Sequence, residues 1–338
     1  AAAIDAGATA RVWDVASGAS VARLDDAIDF GIASVSFLDD DTLLVAGQDY
    51  DESLLRWDFR TGEAMSLGGS GQVLTAVAAS PDGTLIATGG DGGRVVVMEV
   101  TATSAKPLYE LPGHGSRIHD LVWDPQGRTL ASVAEYVQVW DLSYAGQYEW
   151  VTLRGSESGF SSVAYSPDGT LLARGPVDDG IEIVDAETFE IVQRIYAGSE
   201  SVSALAFSPD GRHVAAAIGV NAGFVRVWDV ERGAFVARPV VDAKLLAIES
   251  GDARSVAYSP DGGLLAATVA GYLRVWETDG YELVLAIDPE GDDVHRELAF
   301  APDGRLAVRG SYDGATQVRF YDLDGTITME CCEQPTLY

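Results

Sequence analysis

Two arginines that occupy the same position in neighbouring repeats are the side chains best suited to bind a partner. Arg254 and Arg296 each fill the first of two variable positions in an otherwise apolar segment, and His295 adjoins Arg296. A guanidinium group is a planar fork that binds both oxygens of a carboxylate. The pair therefore favours recognition of a carboxylate or an acidic loop. The alternative is that each arginine pairs with an internal acid, such as Asp252 or Glu297.

The two variable positions recur in seven segments, and four of the seven pairs are small and neutral. The pairs are Ala33-Ser34, Thr75-Ala76, His119-Asp120, Ser161-Ser162, Ser203-Ala204, Arg254-Ser255 and Arg296-Glu297. The charged pairs stand out against this background. We therefore add His119 and Asp120 to the candidate partner-binding residues.

The sequence contains no motif that predicts catalysis or cofactor binding. It has no phosphate-binding loop, no nucleophile-elbow pentapeptide and no His-Glu-x-x-His pattern. Its acidic runs lack the oxygen spacing of a calcium loop, and no histidine stands at zinc-ligand spacing from Cys331 and Cys332. These adjacent cysteines are most simply reduced thiols, although they could also pair with another chain. We therefore predict no catalytic residue, no cofactor and no metal.

A single phrase recurs seven times and organises these residues. It consists of an apolar strand, a turn of the type Ser-Pro-Asp-Gly and a second apolar strand. Proline presets φ, aspartate bonds its own backbone and glycine supplies a positive φ, so each copy predicts a hairpin. The aligned turn positions, 42 to 44 residues apart except for one step of 51, are 40, 82, 126, 168, 210, 261 and 303. Such a period predicts a propeller or a solenoid.

A second motif follows each hairpin, and its clearest copies are Trp-Asp pairs. These pairs are Trp13-Asp14, Trp57-Asp58, Trp140-Asp141 and Trp228-Asp229. With them the chain resembles the WD40-repeat family over almost its whole length. The resemblance implies an all-β propeller of four-stranded antiparallel blades round a central channel, used mostly as a platform for other proteins. The family's Gly-His pair survives only as Gly113-His114, so its buried Asp-His-Ser-Trp network is not expected in most blades.

The repeat count favours eight blades, one of them incomplete. Seven hairpin phrases supply seven inner strand pairs, whereas there are eight third strands, the extra one being Val12-Trp13-Asp14. Residues 1–25 are therefore interpreted as a partial repeat that takes part in ring closure. Seven blades are the alternative. No linker or change in composition divides the chain, so residues 1–338 are predicted to form a single propeller domain.

The charge of the chain restricts its partners. Fifty-two acidic residues stand against 22 basic ones, which gives a net charge of −30. Such a surface repels phosphate backbones and anionic membranes, so we predict no nucleic-acid partner. No apolar run approaches the roughly 18 residues that span a bilayer, so no membrane insertion is predicted. These features favour a soluble, cytoplasmic protein, without fixing the compartment.

The resemblance implies that the two variable positions lie near the channel mouth, on the face where the family usually binds. A second, lateral surface is predicted at Tyr144, Tyr148 and Trp150, where exposed aromatic rings would anchor an interface. Packing of these rings against an adjacent blade is the alternative explanation.

Two classes of function remain open at this point. The sequence favours a non-catalytic scaffold for protein interaction or sensing that binds one or more protein partners, as part of a larger protein or assembly. The alternative is a propeller enzyme, or a metal or small-molecule binder, that acts at the central channel. Convergence of several acids and histidines at the channel mouth would favour this alternative, whereas small lining residues favour the scaffold.

Overall fold

The computed structural model describes most of the central part of the chain. The described residues are 10–13, 20–24, 32–47, 54–68, 71–143, 148–154, 159–176, 180–196, 201–219, 223–239, 252–287, 294–300 and 306–311. Every regular element within these ranges is a β-strand. Over the same ranges, no helix is long and apolar enough to cross a membrane.

Twenty-eight strands follow one another along the described chain. They are β1 Ala10–Trp13, β2 Ser20–Leu24, β3 Ile32–Phe37, β4 Thr42–Gly47, β5 Leu54–Asp58, β6 Glu63–Gly68, β7 Leu74–Ala79, β8 Leu85–Gly90, β9 Val95–Val100, β10 Ala105–Leu111, β11 Asp120–Trp123, β12 Thr129–Val133, β13 Val137–Asp141, β14 Glu149–Leu153, β15 Phe160–Tyr165, β16 Leu171–Pro176, β17 Ile181–Asp185, β18 Ile191–Ile195, β19 Val202–Phe207, β20 His213–Ile218, β21 Phe224–Asp229, β22 Phe235–Ala237, β23 Ala253–Tyr258, β24 Leu264–Val269, β25 Tyr272–Glu277, β26 Leu283–Ile287, β27 Val294–Phe300 and β28 Leu306–Ser311.

These strands form a propeller of four-stranded antiparallel blades. Six sheets are complete, and in each the spatial order of the strands follows the chain. We number them blade 1 (β3–β6), blade 2 (β7–β10), blade 3 (β11–β14), blade 4 (β15–β18), blade 5 (β19–β22) and blade 6 (β23–β26). The strands β1 and β2 form a two-stranded sheet, and so do β27 and β28.

The predicted blade number is wrong. The described residues form six complete blades, not eight or seven. All seven predicted hairpins are present, the last being β27–β28. The described part of the eighth third-strand copy, β1, supplies no eighth blade, because it pairs with β2 and lies beside β28 of the last hairpin. The copy at Phe320 and the cysteines Cys331 and Cys332 lie outside the described residues.

The hydrophobic core lies between neighbouring blades. The second strands are almost continuously buried, as in β4, whereas the fourth strands face outward, as in β6 and β18. One cluster joins Ile183 of blade 4 to Val202 and Val214 of blade 5. Strands that are covered on both faces need continuous apolar runs, which explains the composition of the repeats.

The hairpin turns are held by a local network that confirms the predicted turn chemistry. In blade 2, Ser80 Oγ donates to Asp82 Oδ1 (2.6 Å) and accepts from Leu85 N (2.9 Å), while Gly83 has a φ of 68°. The same serine–aspartate bond, again 2.6 Å long, recurs at Ser166-Asp168, Ser208-Asp210 and Ser259-Asp261. This serine bond is the main cause of a lowered pKa at the four aspartates.

Candidate partner-binding site

The inner strands of the blades stand next to one another in a row. Contacts join β3 to β7, β7 to β11, β11 to β15, β15 to β19, β19 to β23, and β23 to β27. The two variable positions lie at or just before the start of each inner strand, and the hairpin turn leaves from its other end. We call the first the mouth end and the second the turn end. The candidate residues of the sequence analysis therefore share the mouth end, with the exception of the lateral aromatic residues.

A β-bulge lies at the first variable position of six inner strands. The strand register shifts across Ala33, Thr75, Ser161, Ser203, Arg254 and Arg296. A bulge leaves one residue out of the ladder and redirects its side chain. The bulge was not predicted from the sequence, although the two consecutive variable residues in an otherwise apolar strand were its signal. The bulge explains why this position varies freely from repeat to repeat.

The second variable position joins one blade to the next. Its side chain accepts a hydrogen bond from a backbone N–H of the following inner strand. The pairs are Ser34 with Val77 N (3.3 Å), Asp120 with Val163 N (3.2 Å), Ser162 with Leu205 N (3.1 Å) and Ser255 with Leu298 N (3.2 Å). The side chains at the second variable position therefore bond the next blade, a role that their small size or charge did not predict.

Asp120 has the most perturbed carboxyl group at the mouth end. Its oxygens accept from Leu121 N (2.9 Å), Ser162 Oγ (3.2 Å) and Val163 N. Burial raises the pKa of Asp120 to about 6, against the lowering effect of these bonds, and the negative charge of Glu297 adds to the rise. The structure therefore gives Asp120 a role between blades 3 and 4. Its neighbour His119 is exposed.

Arg254 is exposed at the bulge of β23 and forms an ion pair. Its Nη2 lies 2.6 Å from Asp252 Oδ2, and the two side chains keep 49% and 31% of their surface exposed. The internal pairing that the sequence left open is therefore present at Arg254, in an accessible form. Arg296 and His295 lie in β27, the strand beside β23, but their side chains are outside the described residues.

The lateral aromatic residues divide into a packed one and an exposed one. Tyr148 packs edge-on against Tyr109 of blade 2, with ring centroids 6.1 Å apart, and also contacts Trp150 at 6.1 Å. Packing between blades, the alternative explanation, therefore holds for Tyr148. Trp150 keeps 50% of its surface exposed. Tyr144 lies outside the described residues.

The repeat that retains the Gly-His pair contains part of the buried network. His114 is buried, and its Nε2 lies 2.6 Å from Ser132 Oγ. Glu135 Oε2 lies 3.8 Å from His114 Nδ1, in the place of the network's acid, and Trp140 contacts the imidazole edge-on. Burial lowers the pKa of His114 to about 4, so the imidazole is neutral near pH 7. This histidine serves packing within blade 3.

No metal centre is formed by the part of the chain that the structure describes. There, no three His, Cys, Asp or Glu side chains lie close enough together to share an ion. Among these residues, the mouth end instead presents small side chains that form bonds between blades, with the charged Arg254 exposed at the bulge of β23.

Comparison with known proteins finds the same repeat. The family model described as "WD domain, G-beta repeat" matches residues 63–97, 105–141 and 190–229. Periodic tryptophan protein 2 of Arabidopsis thaliana is 29% identical over 280 residues, which cover 80% of this chain and 29% of that protein. WD repeat-containing protein SL1-17 of Schistosoma mansoni is 29% identical, covering 54% of this chain and 57% of its own. Small ribosomal subunit protein RACK1y of Oryza sativa subsp. japonica is 30% identical, covering 41% and 43%. The chain thus spans less than two thirds of each of these relatives.

Proposed function

We propose that this chain, which is a member of the WD40-repeat family, is a non-catalytic scaffold that binds a protein partner at its mouth end. The observation that carries the proposal is the accessible Arg254–Asp252 pair at the bulge of β23, beside the strand that holds Arg296. One relative is named as a ribosomal subunit protein, which fits a chain that works within a larger protein or assembly.

The partner should present a carboxylate or an acidic loop to this surface. Arg254 already binds a carboxylate in the free chain, so a partner acid would replace Asp252 or share the guanidinium with it. The exchange requires little movement, because the pair is solvent-exposed and weak by itself. His295, Arg296 and His119 would extend the contact along the mouth end.

A nucleic-acid partner does not fit the charge of the chain. A net charge of −30 opposes association with a phosphate backbone, and electrostatic attraction supplies most non-specific affinity for nucleic acids. Retention of DNA or RNA by the purified chain at physiological salt, in a mobility-shift assay, would contradict this part of the proposal.

The test compares partner capture by the parent chain and by the double variant Arg254→Ala/Arg296→Ala. Quantitative mass spectrometry of captured proteins should show loss of the partner from the variant, and its Kd should rise by the equivalent of about 1–3 kcal/mol. Lysine at both positions should restore only part of the affinity, because it keeps the charge and loses the fork.

Arg212→Ala is the matched control, because Arg212 is exposed near the turn end and contacts Asp210 only at 3.9 Å. It removes one positive charge without touching the mouth end, so it should retain the partner. Unchanged capture by a folded double variant would place the partner elsewhere on the propeller.

A further inference from the structure

The outer part of blade 5 carries two arginines that lie opposite each other. The register pair Val227–Ala237 places Arg226 of β21 across from Arg238, the residue that follows β22. Both guanidinium groups stack on the buried ring of Phe224: the Cζ atom lies 4.4 Å from the ring centroid in Arg226 and 4.7 Å in Arg238. A single aromatic ring therefore holds the two guanidinium forks close together.

The same two positions hold different pairs in the other blades. In blade 4 they hold the register partners Glu182 and Arg194, whose side chains form an ion pair with 3.1 Å between Glu182 Oε1 and Arg194 Nη2. The remaining pairs are Leu55–Ser66, Val96–Glu110, Gln138–Thr152 and Arg274–Ala286. Of the six blades that the structure describes completely, blade 5 alone therefore places two positive charges at these positions.

The charge of this surface is opposite to that of the whole chain. Arg238 is exposed, and it forms no ion pair with a residue that the structure describes. Like charges at opposed positions of two strands repel each other, whereas an anion between the two forks is attracted by both. On a chain with a net charge of −30, two adjacent arginines form a local surface that is complementary to an acidic group.

An exposed aromatic ring lies on the same face of the blade. Phe235 is the register partner of Trp228 and keeps 58% of its surface exposed. Arg226 precedes Trp228 by two residues and shares its face, so Phe235 and the arginine pair are separated by about 7 Å along the strands. Across the cleft, the uncharged Gln193 of β18 lies against Gly233 in the turn before β22. The surface thus offers an apolar contact beside a cationic one.

We propose that the outer edge of blade 5 binds an extended segment of a protein partner in which an aspartate or glutamate stands two residues from a large apolar side chain. The carboxylate binds the two arginines, and the apolar side chain covers Phe235. The partner backbone pairs with β22, which is bonded only to β21 among the described strands and leaves its outer edge open. This surface lies on the outermost strand, whereas the proposed mouth-end site lies on the inner strands, so the two sites are independent.

The test uses a fluorescein-labelled nonapeptide of the sequence Gly-Ser-Leu-Ser-Glu-Ser-Leu-Ser-Gly. A leucine on each side of the glutamate allows binding in either chain direction. Fluorescence anisotropy at low ionic strength should show binding that weakens as salt is added. Two control peptides, one with lysine in place of the glutamate and one with serine in place of both leucines, should each bind about 5-fold more weakly or worse.

Variants of the chain separate this surface from its neighbours. Arg238→Ala and Phe235→Ala should each weaken peptide binding about 5-fold. Arg194→Ala is the matched control, because Arg194 occupies the equivalent position of blade 4. Arg254→Ala removes an arginine of the mouth end instead. Both of these controls should bind the peptide like the parent.

Charge reversal at Arg238 distinguishes a binding role from a structural one. Arg238→Glu places a carboxylate across from Arg226, as in the ion pair of blade 4, so the Tm should not fall. Peptide binding should nevertheless weaken about 10-fold or more, because the new carboxylate repels the glutamate of the peptide. A variant that keeps both its Tm and its peptide affinity would overturn the proposal.

Three further results would also overturn it. The first is failure of the parent chain to bind the peptide. The second is equal weakening by Arg238→Ala and by either control variant, which would reduce binding to attraction by any exposed arginine. The third is binding only of a peptide with phosphoserine in place of the glutamate, which would assign the surface to a phosphorylated partner. None of these results bears on the mouth-end site, which is tested by partner capture with the Arg254→Ala/Arg296→Ala variant.

Discussion

The two ends of the inner strands use polar side chains in different ways. At the mouth end, Ser162 and Ser255 bond the backbone of the next blade. At the turn end, Ser80 and Asp82 bond within their own hairpin. The serines of the mouth end therefore join neighbouring blades, whereas the serines of the turns hold their own hairpins. Some bonds between blades are also found at the turn end, for example between Thr129 Oγ1 and Tyr165 (3.0 Å).

The largest effect on this arrangement is expected from loss of ring closure. Because β1 lies beside β28, deletion of residues 1–17 should leave the edge of β28 open. The hydrogen bonds between blades at the mouth end would then hold a ring that is not closed. We expect the Tm to fall by roughly 5 °C or more, with aggregation on heating. Deletion of residues 1–9 alone is the control, because it leaves β1 in place. If both deletions melt like the parent, the segment is a tail and does not close the ring.

A pair of glycine substitutions compares the two ends directly. A Cβ added at Gly223, at the mouth end of blade 5, would overlap the backbone nitrogen of Ala253 and lie 2.9 Å from its Cα. A Cβ added at Gly211, in a turn, would meet nothing closer than Pro167 Cδ at 3.8 Å, although φ there is 71°. We expect Gly223→Ala to cost about 3 kcal/mol or more and Gly211→Ala about 1 kcal/mol in the free energy of unfolding.

Urea unfolding of the two glycine variants measures the difference. Equal losses of stability would contradict the view that blades are fastened more tightly at the mouth than at the turns. A larger loss of stability for Gly211→Ala than for Gly223→Ala would indicate that the turn end is the more tightly packed of the two.

The structural features that depend on residues close together in the sequence could be predicted, whereas the contacts between residues far apart in the sequence could not. The Ser-Pro-Asp-Gly hairpins were predictable because proline, aspartate and glycine set the turn within a few residues. The bond from Ser162 to Leu205 N was not, because it joins residues 43 positions apart in different blades. The blade count was wrong for the same reason: the motif at Trp13 identifies a strand but does not specify its neighbour. The sequence singled out Arg254 but did not predict its bulge, and it left the pairing with Asp252 open.

The smallest expected effect concerns pH and distinguishes the carboxyl groups of the two ends. The pKa of Asp120 rises from an ordinary 3.8 to about 6 in the folded chain, so the folded state binds this proton more tightly. Its contribution to stability is therefore complete below about pH 4 and is lost as the pH rises through about 6. His114 acts in the opposite sense, because its pKa falls from 6.5 to about 4 and its contribution is lost as the pH falls through that value.

Asp120→Asn should remove the first of these two trends. An amide cannot accept all the hydrogen bonds that the carboxylate accepts, so the substitution lowers the free energy of unfolding by an amount that is nearly independent of pH. The informative quantity is therefore the slope of this free energy against pH. Between pH 5 and 8 the parent should lose on the order of 1–3 kcal/mol relative to Asp120→Asn in the free energy of unfolding. Asp82→Asn is the turn-end control: the pKa of Asp82 is lowered, chiefly by the Ser80 hydrogen bond, so this substitution should leave the slope above pH 5 unchanged. Parallel curves for the parent and Asp120→Asn would show that the mouth-end carboxyl is no more perturbed than the turn-end one, and that the bonds between blades do not depend on its ionisation.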